Sequence, residues 1–379
     1  MERLITALPL IITMGAFCQA DLRLTEAGIS NSTRTRSFGS APSLQVGSAL
    51  QIRATIDNPG TISHTSITLM VEIAGPSPVN TLLTAANLDP GESDILLEPV
   101  PIPLLAEGLY TATLTLSSAE SGSESNLANN VQVRYFSITN NTCALDGIGV
   151  IPAGASSVAW IGTSTFPDAE DGLILMSYVD LKTGTEVEGF EALLAPGTQA
   201  GAEVHFMVLD TTDVLNGDVY NPLLETTPSA ITPSDVTNGT VQIALGSGEE
   251  LPPGGYFVAI ELFSLGGAHP VSIKDDVSND EDPIASLMYH PGDFQVYSNG
   301  NAVAVRLRMG DAINGLNDPE PGARLSLYPN PANDVLRITG LVPAGPHLFG
   351  SAMPSEEPHW KQARRTAPSM SRRCGQGHT

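Results

Sequence analysis

The sequence predicts an all-β protein made of two successive β-sandwiches. Apolar residues recur with a period of two, as in Leu50, Ile52, Ala54 and Ile56 alternating with Gln51, Arg53 and Thr55. Such alternation gives a strand one packed and one solvated face. The runs end at Pro- and Gly-rich turns such as Asn58-Pro59-Gly60, whose residues preset or tolerate the dihedrals of a reversal. No stretch of useful length carries the 3.6-residue period of an amphipathic helix.

The chain opens like an export signal. Arg3 precedes an apolar run from Leu4 to Phe17, and Cys18 and Ala20 take the small-residue positions ahead of Asp21. This predicts a signal peptide over 1–20, cleaved after Ala20. The run is shorter than the roughly 20 apolar residues that cross a bilayer, and the bulk of Phe17 disfavours lipid attachment at Cys18. The mature chain is expected to have no transmembrane segment and to be exported, soluble or held at a surface by something else.

Residues 21–138 form the first expected domain. Strands are expected over 49–57, 67–73, 95–97, 109–116 and 131–138, with turns at Gly75-Pro76-Ser77-Pro78 and Leu88-Asp89-Pro90-Gly91-Glu92. Six or seven short strands in this length point to a sandwich. The polar Thr139-Asn140-Asn141-Thr142 leads into a second domain, 139–310. Its expected strands are 173–179, 187–194, 203–209, 240–245, 255–262, 286–290 and 302–309, a jelly-roll-like set. Trp160, inside an apolar run, is expected in the core.

Charge narrows the function. The chain has 41 acids against 17 bases, a formal charge of −24. Only 11 of those bases lie in 21–343, which argues against a nucleic-acid groove. The acidic surface repels anionic membranes and suits divalent cations. The cysteines are Cys18, Cys143 and Cys374. Removal of the signal leaves two, too few for a disulfide framework, so hydrophobic cores must hold the domains.

Catalytic patterns are thin. There is no Gly-x-Ser-x-Gly elbow and no His-Glu-x-x-His pair. His205, near Asp210 and Asp213 in sequence, reads as a partly exposed strand residue, and no catalytic residues are assigned. Acidic groups are more suggestive, since adjacent carboxylates repel unless a cation or solvent screens them. Asp168, Glu170 and Asp171 form one group, and Asp210, Asp213 and Asp218 another. The densest runs from Asp275 to Asp282 on an expected loop, and Asp275, Asp276, Asp280 and Asp282 are the expected oxygen donors to a structural calcium. No other cofactor is expected. Asn129 and Asn130 read as a structural turn, with a cation held by Glu120, Glu124 and these amides as the alternative. Tyr289, Phe294 and Tyr297 are the candidates for stacking on a sugar.

The first domain resembles the bacterial adhesion-associated, immunoglobulin-like family called CARDB. The matching features are Asn58-Pro59-Gly60, Leu88-Asp89-Pro90-Gly91-Glu92, Gly108-Leu109-Tyr110 and the Glu124–Asn130 motif before Val131. The resemblance implies an immunoglobulin-like sandwich acting as a spacer or presenting unit, and no binding residue is carried over.

After a linker at 311–322, residues 323–343 contain Leu327-Tyr328-Pro329-Asn330-Pro331-Ala332-Asn333-Asp334-Val335. The two prolines set a rigid turn between two strands. The Tyr328-Pro329-Asn330-Pro331 core resembles the type A C-terminal sorting domain of the type IX secretion system of Bacteroidota. That implies passage through the type IX machinery, followed by release or attachment to surface polysaccharide. The pattern stops near Leu341. The tail 344–379 carries Lys361, Arg364, Arg365, Arg372 and Arg373 and reads either as a frame change or as a basic tail that pairs with the acidic body.

The expected function is that of a non-catalytic secreted or cell-surface adhesion and presentation protein, with an extracellular protein or polysaccharide as partner. The alternative is a glycan-binding or accessory module of a secreted hydrolase system.

Overall fold

The computed structural model describes residues 19–124, 126–167 and 171–310, with the backbone alone at 246–247, 326–328 and 337–339. The apolar run 1–18, the linker 311–322, Pro329–Pro331 and the tail 344–379 lie outside the described residues.

Eight strands make the first sandwich: β1 (Arg23–Ser30), β2 (Ser40–Pro42), β3 (Ala49–Asp57), β4 (Thr68–Ala74), β5 (Val79–Thr84), β6 (Ser93–Pro101), β7 (Gly108–Ser117) and β8 (Val131–Thr139). One sheet has the order β1-β3-β6 and the other β2-β8-β7-β4-β5. Every pairing is antiparallel except β2 with β8. The period-two reading holds residue by residue on β3, where Leu50, Ile52, Ala54 and Ile56 are all 0 % exposed. β1, β2 and β5 lie outside the strands expected from the sequence.

The second set comprises β9 (Thr142–Cys143), β10 (Val158–Gly162), β11 (Asp171–Leu181), β12 (Thr185–Leu193), β13 (Glu203–Asp210), β14 (Pro222–Glu225), β15 (Ser229–Ala230), β16 (Thr240–Leu251), β17 (Gly254–Phe263), β18 (Ser272–Asp276), β19 (Ser286–His290), β20 (Gln295–Ser298), β21 (Ala302–Val303) and β22 (Val305–Met309). A large sheet, β14-β13-β17-β11-β19-β20 with β15 beside β13, faces a sheet of order β16-β12-β22-β9. A small sheet, β10-β18-β21, flanks them. One face of the large sheet joins the main core through Val204, Phe206, Val258 and Ile260. Its other face buries Ile174, Met176, Met207 and Phe257 under the segment that carries Val214 and Val219. Both faces of β11 and β17 are therefore covered, which is why these strands read as continuous apolar runs.

A tyrosine ties a turn in each sandwich. Tyr110 Oη donates to Ala106 O at 2.7 Å, and Tyr256 Oη donates to Pro252 O at 2.9 Å. Both reach four residues back, in the manner of a tyrosine corner. Gly75 is required beside the first, because a Cβ there would lie 2.4 Å from the Tyr110 ring.

Trp160 departs from the expectation. It is 58 % exposed, on β10 at the edge of the small sheet. Ile161 takes the inward position instead, so the strand has the opposite parity from the one expected. Near the chain's end, β23 (Ser326–Tyr328) and β24 (Arg337–Thr339) pair antiparallel, with Tyr328 opposite Arg337.

Candidate functional site at the junction of the sandwiches

The four expected oxygen donors of the 275–282 segment, Asp275, Asp276, Asp280 and Asp282, are not brought together on one loop. Asp275 and Asp276 are the last residues of β18, with their carboxylates turned to different partners. Asp275 accepts from Asn299 Nδ2 at 2.9 Å and Asn301 Nδ2 at 2.8 Å. Burial raises its pKa above the usual carboxylate range. Asp276 accepts the N–H of Gly147 at 2.7 Å and of Ser278 at 3.0 Å. Asp280 is exposed. Asp282 faces arginines of the first sandwich, Arg53 and Arg36. Strand alternation and these separate donors disperse the four carboxylates. Among the described residues no three acids, histidines or cysteines come together to hold a metal ion.

What the segment builds is the join between the two sandwiches. Glu281, not singled out from sequence, is 4 % exposed. Its carboxylate accepts Arg36 N–H at 2.9 Å and Ser37 N–H at 3.4 Å, and the Ser37 hydroxyl donates to it. Burial pushes the Glu281 carboxyl up to about 7 against the pull of these donors, and the charge of Asp282 pushes the same way. Arg53 Nη1 lies 3.0 and 2.9 Å from the two Asp282 oxygens, and Arg36 Nε lies 3.2 Å from one of them. Arg36 also pairs with Glu26. Partly desolvated guanidinium–carboxylate pairs of this kind outweigh surface ion pairs.

Backbone contacts continue the join. Gly39 and Ser40 N–H both donate to Ala144 O, at 2.9 and 3.0 Å, and Ala144 N–H returns a bond to Ser40 O at 2.8 Å. Only glycine fits at 39, since a Cβ would lie 1.5 Å from Asp146 O. Gln45 adds a side-chain clamp, accepting Lys182 N–H at 2.8 Å and donating to Thr183 O at 3.2 Å. Cys143, whose thiol pKa burial raises, helps line a cavity of about 20 Å³ with Asn31, Ser37, Phe38 and Tyr178. That volume is about enough for one water. Close by, Arg306 holds the fully buried Asp146 at 2.6 and 2.9 Å and Glu191 at 3.0 Å. Burial raises the pKa of Asp146 and Arg306 opposes it.

The other acidic groups cap turns. Asp171 accepts three backbone N–H groups, from Ser264, Leu265 and Gly266, at 2.7 to 2.8 Å. Asp210 caps the short helix Thr211–Leu215 through Thr212 N–H at 2.7 Å. Asp213 accepts from Asn221 Nδ2 and Asp218 from Tyr220 N–H. Asp168 and Glu170 lie outside the described residues. Asn130 Nδ2 donates to Glu124 at 2.7 Å and Asn129 Nδ2 to Asp21 at 3.1 Å, while Glu120 holds Thr65 through N–H and hydroxyl at 2.8 Å. These bonds fit the structural turn.

His205 sits away from the two aspartates that neighbour it in sequence. Its ring nitrogens face Glu225 at 3.3 Å and Glu261 at 3.4 Å, because β13 lies between β14 and β17. The three candidate aromatics do not share a platform. Tyr289 is buried under Tyr220 on the outer face of the large sheet. Tyr297 pairs with Met288, which faces the main core, so it lies on the opposite face. Phe294 is 75 % exposed at the tip of the β19–β20 hairpin.

No family model matches the chain, and no curated protein matches it. Among solved structures, the chain is similar to a crystal structure of the CARDB domain of a Pyrococcus furiosus protein in complex with di-metal ions. The identity is 22 %, over 32 % of this chain and 90 % of that one, with a TM-score of 0.23. A solution NMR structure of that CARDB domain matches with 22 % identity, over 32 % of this chain and 96 % of that one, at a TM-score of 0.24. A β-glucosidase from Erythrobacter marinus is 12 % identical over 32 % of this chain and 16 % of its own, at 0.22. At these scores the likenesses carry no argument about what the chain binds or does, and the sandwich fold rests on the sheets described above.

Proposed function

We propose that this chain is a non-catalytic secreted or cell-surface adhesion and presentation protein, exported by the type IX secretion machinery and led by a CARDB-like domain. The observation that carries the reading is the junction. Arg36, Arg53, Glu281, Asp282 and the Gly39–Ala144 backbone bonds fasten the two sandwiches to each other. A fastened pair of sandwiches suits a presenting unit, because a displayed surface keeps its orientation relative to the anchored end. The acids and His205 serve as caps, clamps and cross-strand pairs, which supports a non-catalytic role. The Tyr328-Pro329-Asn330-Pro331 core supports the export route.

The test pairs location with adhesion in Bacteroidota cells that carry the full chain. The wild type is expected in the medium or on the surface, and alanine at Tyr328, Pro329 and Pro331 is expected to trap it in the periplasm. Beads coated with the chain are expected to adhere to extracellular protein or polysaccharide. Hydrolysis of a secreted substrate, lost on changing a single carboxylate, would overturn the reading.

Exposed Phe294 favours glycan binding as a second reading. It requires saturable binding to polysaccharide that Phe294→Ala removes.

A further inference from the structure

The first sandwich guards its sheet edges unequally. On edge strand β6, Pro99 and Pro101 offer no N–H, and Asp94 Oδ1 accepts the N–H of Ile95 at 2.8 Å. On β1, Gln132 Nε2 takes Leu24 O at 2.7 Å and Arg134 Nε takes Ala27 O at 2.8 Å. β2 is continued by Ala144 of the second sandwich. Edge strand β5 has none of these devices. Its sequence, Val79-Asn80-Thr81-Leu82-Leu83-Thr84, holds no charge and no proline, and Leu82 is 55 % exposed. Uncharged, unblunted edges are templates for a further strand.

The direction of the free groups follows from one bond. Ala85 N–H donates to Ile67 O at 3.0 Å, so the odd-numbered residues of β5 bond to β4 in the antiparallel alternation. The N–H and C=O of Asn80, Leu82 and Thr84 therefore point away from the sheet.

We propose that β5 pairs antiparallel with β5 of a second copy of this chain, about a two-fold axis at Leu82. In that register Leu82 meets its own counterpart, and Asn80 meets Thr84 of the second copy. Every outward N–H then finds an outward C=O, for about six bonds between copies. Shifting the register by two residues towards the N-terminus sets Thr84 against Pro78, which has no N–H to give. Self-complementarity of this kind is what a two-fold contact requires. Charge selects the same occupant. A strand recruited by an acidic protein would be basic and would seek carboxylates, and β5 has none. Two copies that each carry −24 repel over most of their surfaces, and this uncharged strip is where they can approach. The result is one continuous sheet across both copies. The contact is small, so the association is weak, and it strengthens as salt screens the repulsion. It needs nothing from the export route or the adhesive role.

Sedimentation equilibrium of the full chain tests it. The average mass is expected to rise towards twice the monomer with concentration, more steeply at about 0.5 M than at about 0.1 M salt. Leu82→Lys places like charges opposite each other at the axis and is expected to leave only monomer. Leu82→Cys puts two Cα atoms about 5.5 Å apart, within disulfide reach. It is expected to give an oxidised dimer above the background of the unsubstituted chain. Asn80→Cys is not, because its counterpart is displaced on the order of 14 Å along the strands. These exposed positions leave the thermal melt in place as a check on folding. A monomer at every concentration and salt overturns the proposal. So does a dimer that Leu82→Lys leaves intact, or cross-linking of Asn80→Cys as strong as that of Leu82→Cys.

Discussion

Arg53 on β3 and Asp282 at the start of the turn before β19 are bound across the two sandwiches. One guanidinium nitrogen stands 3.0 and 2.9 Å from the two carboxylate oxygens. The side chains are 24 % and 13 % exposed, so water screens the pair only in part. Arg53 also lies in the alternating row Gln51, Arg53, Thr55 that faces away from the first core. A residue that reads as a solvated-face base is thus one half of the junction.

Arg53→Ala is expected to cost about 1–3 kcal/mol, since it withdraws a charge-assisted donor from a partly buried acid that keeps only Arg36. Chemical denaturation of the full chain measures it. A loss no larger than that of an exposed pair such as Arg23–Asp57 would show that the junction contributes little.

Stability is expected to fall as pH rises from about 4.5 to about 7. Glu281 has a folded-state pKa pushed up to about 7 from 4.5, so in this window the folded state holds a proton that the unfolded state has lost. Stability from a group raised in this way is present below the unfolded value and lost through the folded one. The span corresponds to roughly 3 kcal/mol at most. Melting curves across this range should slope downward for the wild type and flatten for Glu281→Gln. Parallel curves would contradict the assignment.

Melting in EDTA and in millimolar calcium is expected to give coincident curves for the 275–282 segment, because its carboxylates are engaged separately. Asp276→Asn is expected to lower both curves equally, by about 1–2 kcal/mol, through weaker acceptance of the Gly147 and Ser278 N–H groups. A calcium-dependent rise abolished by Asp276→Asn would restore the cation loop.

Tyr110→Phe and Tyr256→Phe each remove one hydroxyl bond to a carbonyl and are expected to cost about 1 kcal/mol. The two lie in different sandwiches, so the double variant should show their sum. Marked non-additivity in denaturant titrations would mean that the corners are coupled through the junction.

Strands such as β3, β4 and β7 are legible in the sequence because each has one wet and one dry face. Leu50 to Ile56 on β3 and Tyr110 to Leu116 on β7 announce their burial by parity alone. β5 is not legible in the sequence because it is an edge strand whose half-buried and exposed positions differ little in polarity. Trp160 faces outward for a related reason, since an apolar run does not say which parity faces inward, and pairing with β18 places Ile161 inside. The acidic segment shows the limit most plainly. Its composition is visible in the sequence, and so is its capacity to attract positive charge. Which positive groups answer it depends on residues more than 200 positions away, Arg36 and Arg53, and on backbone N–H groups that every non-proline residue carries. The sequence by itself determined the all-β class and the alternation that packs it. The tertiary structure alone decided that Glu281 and Asp282 meet arginines and amides rather than one another, because ion pairing depends on distance in space and chain order leaves that distance open.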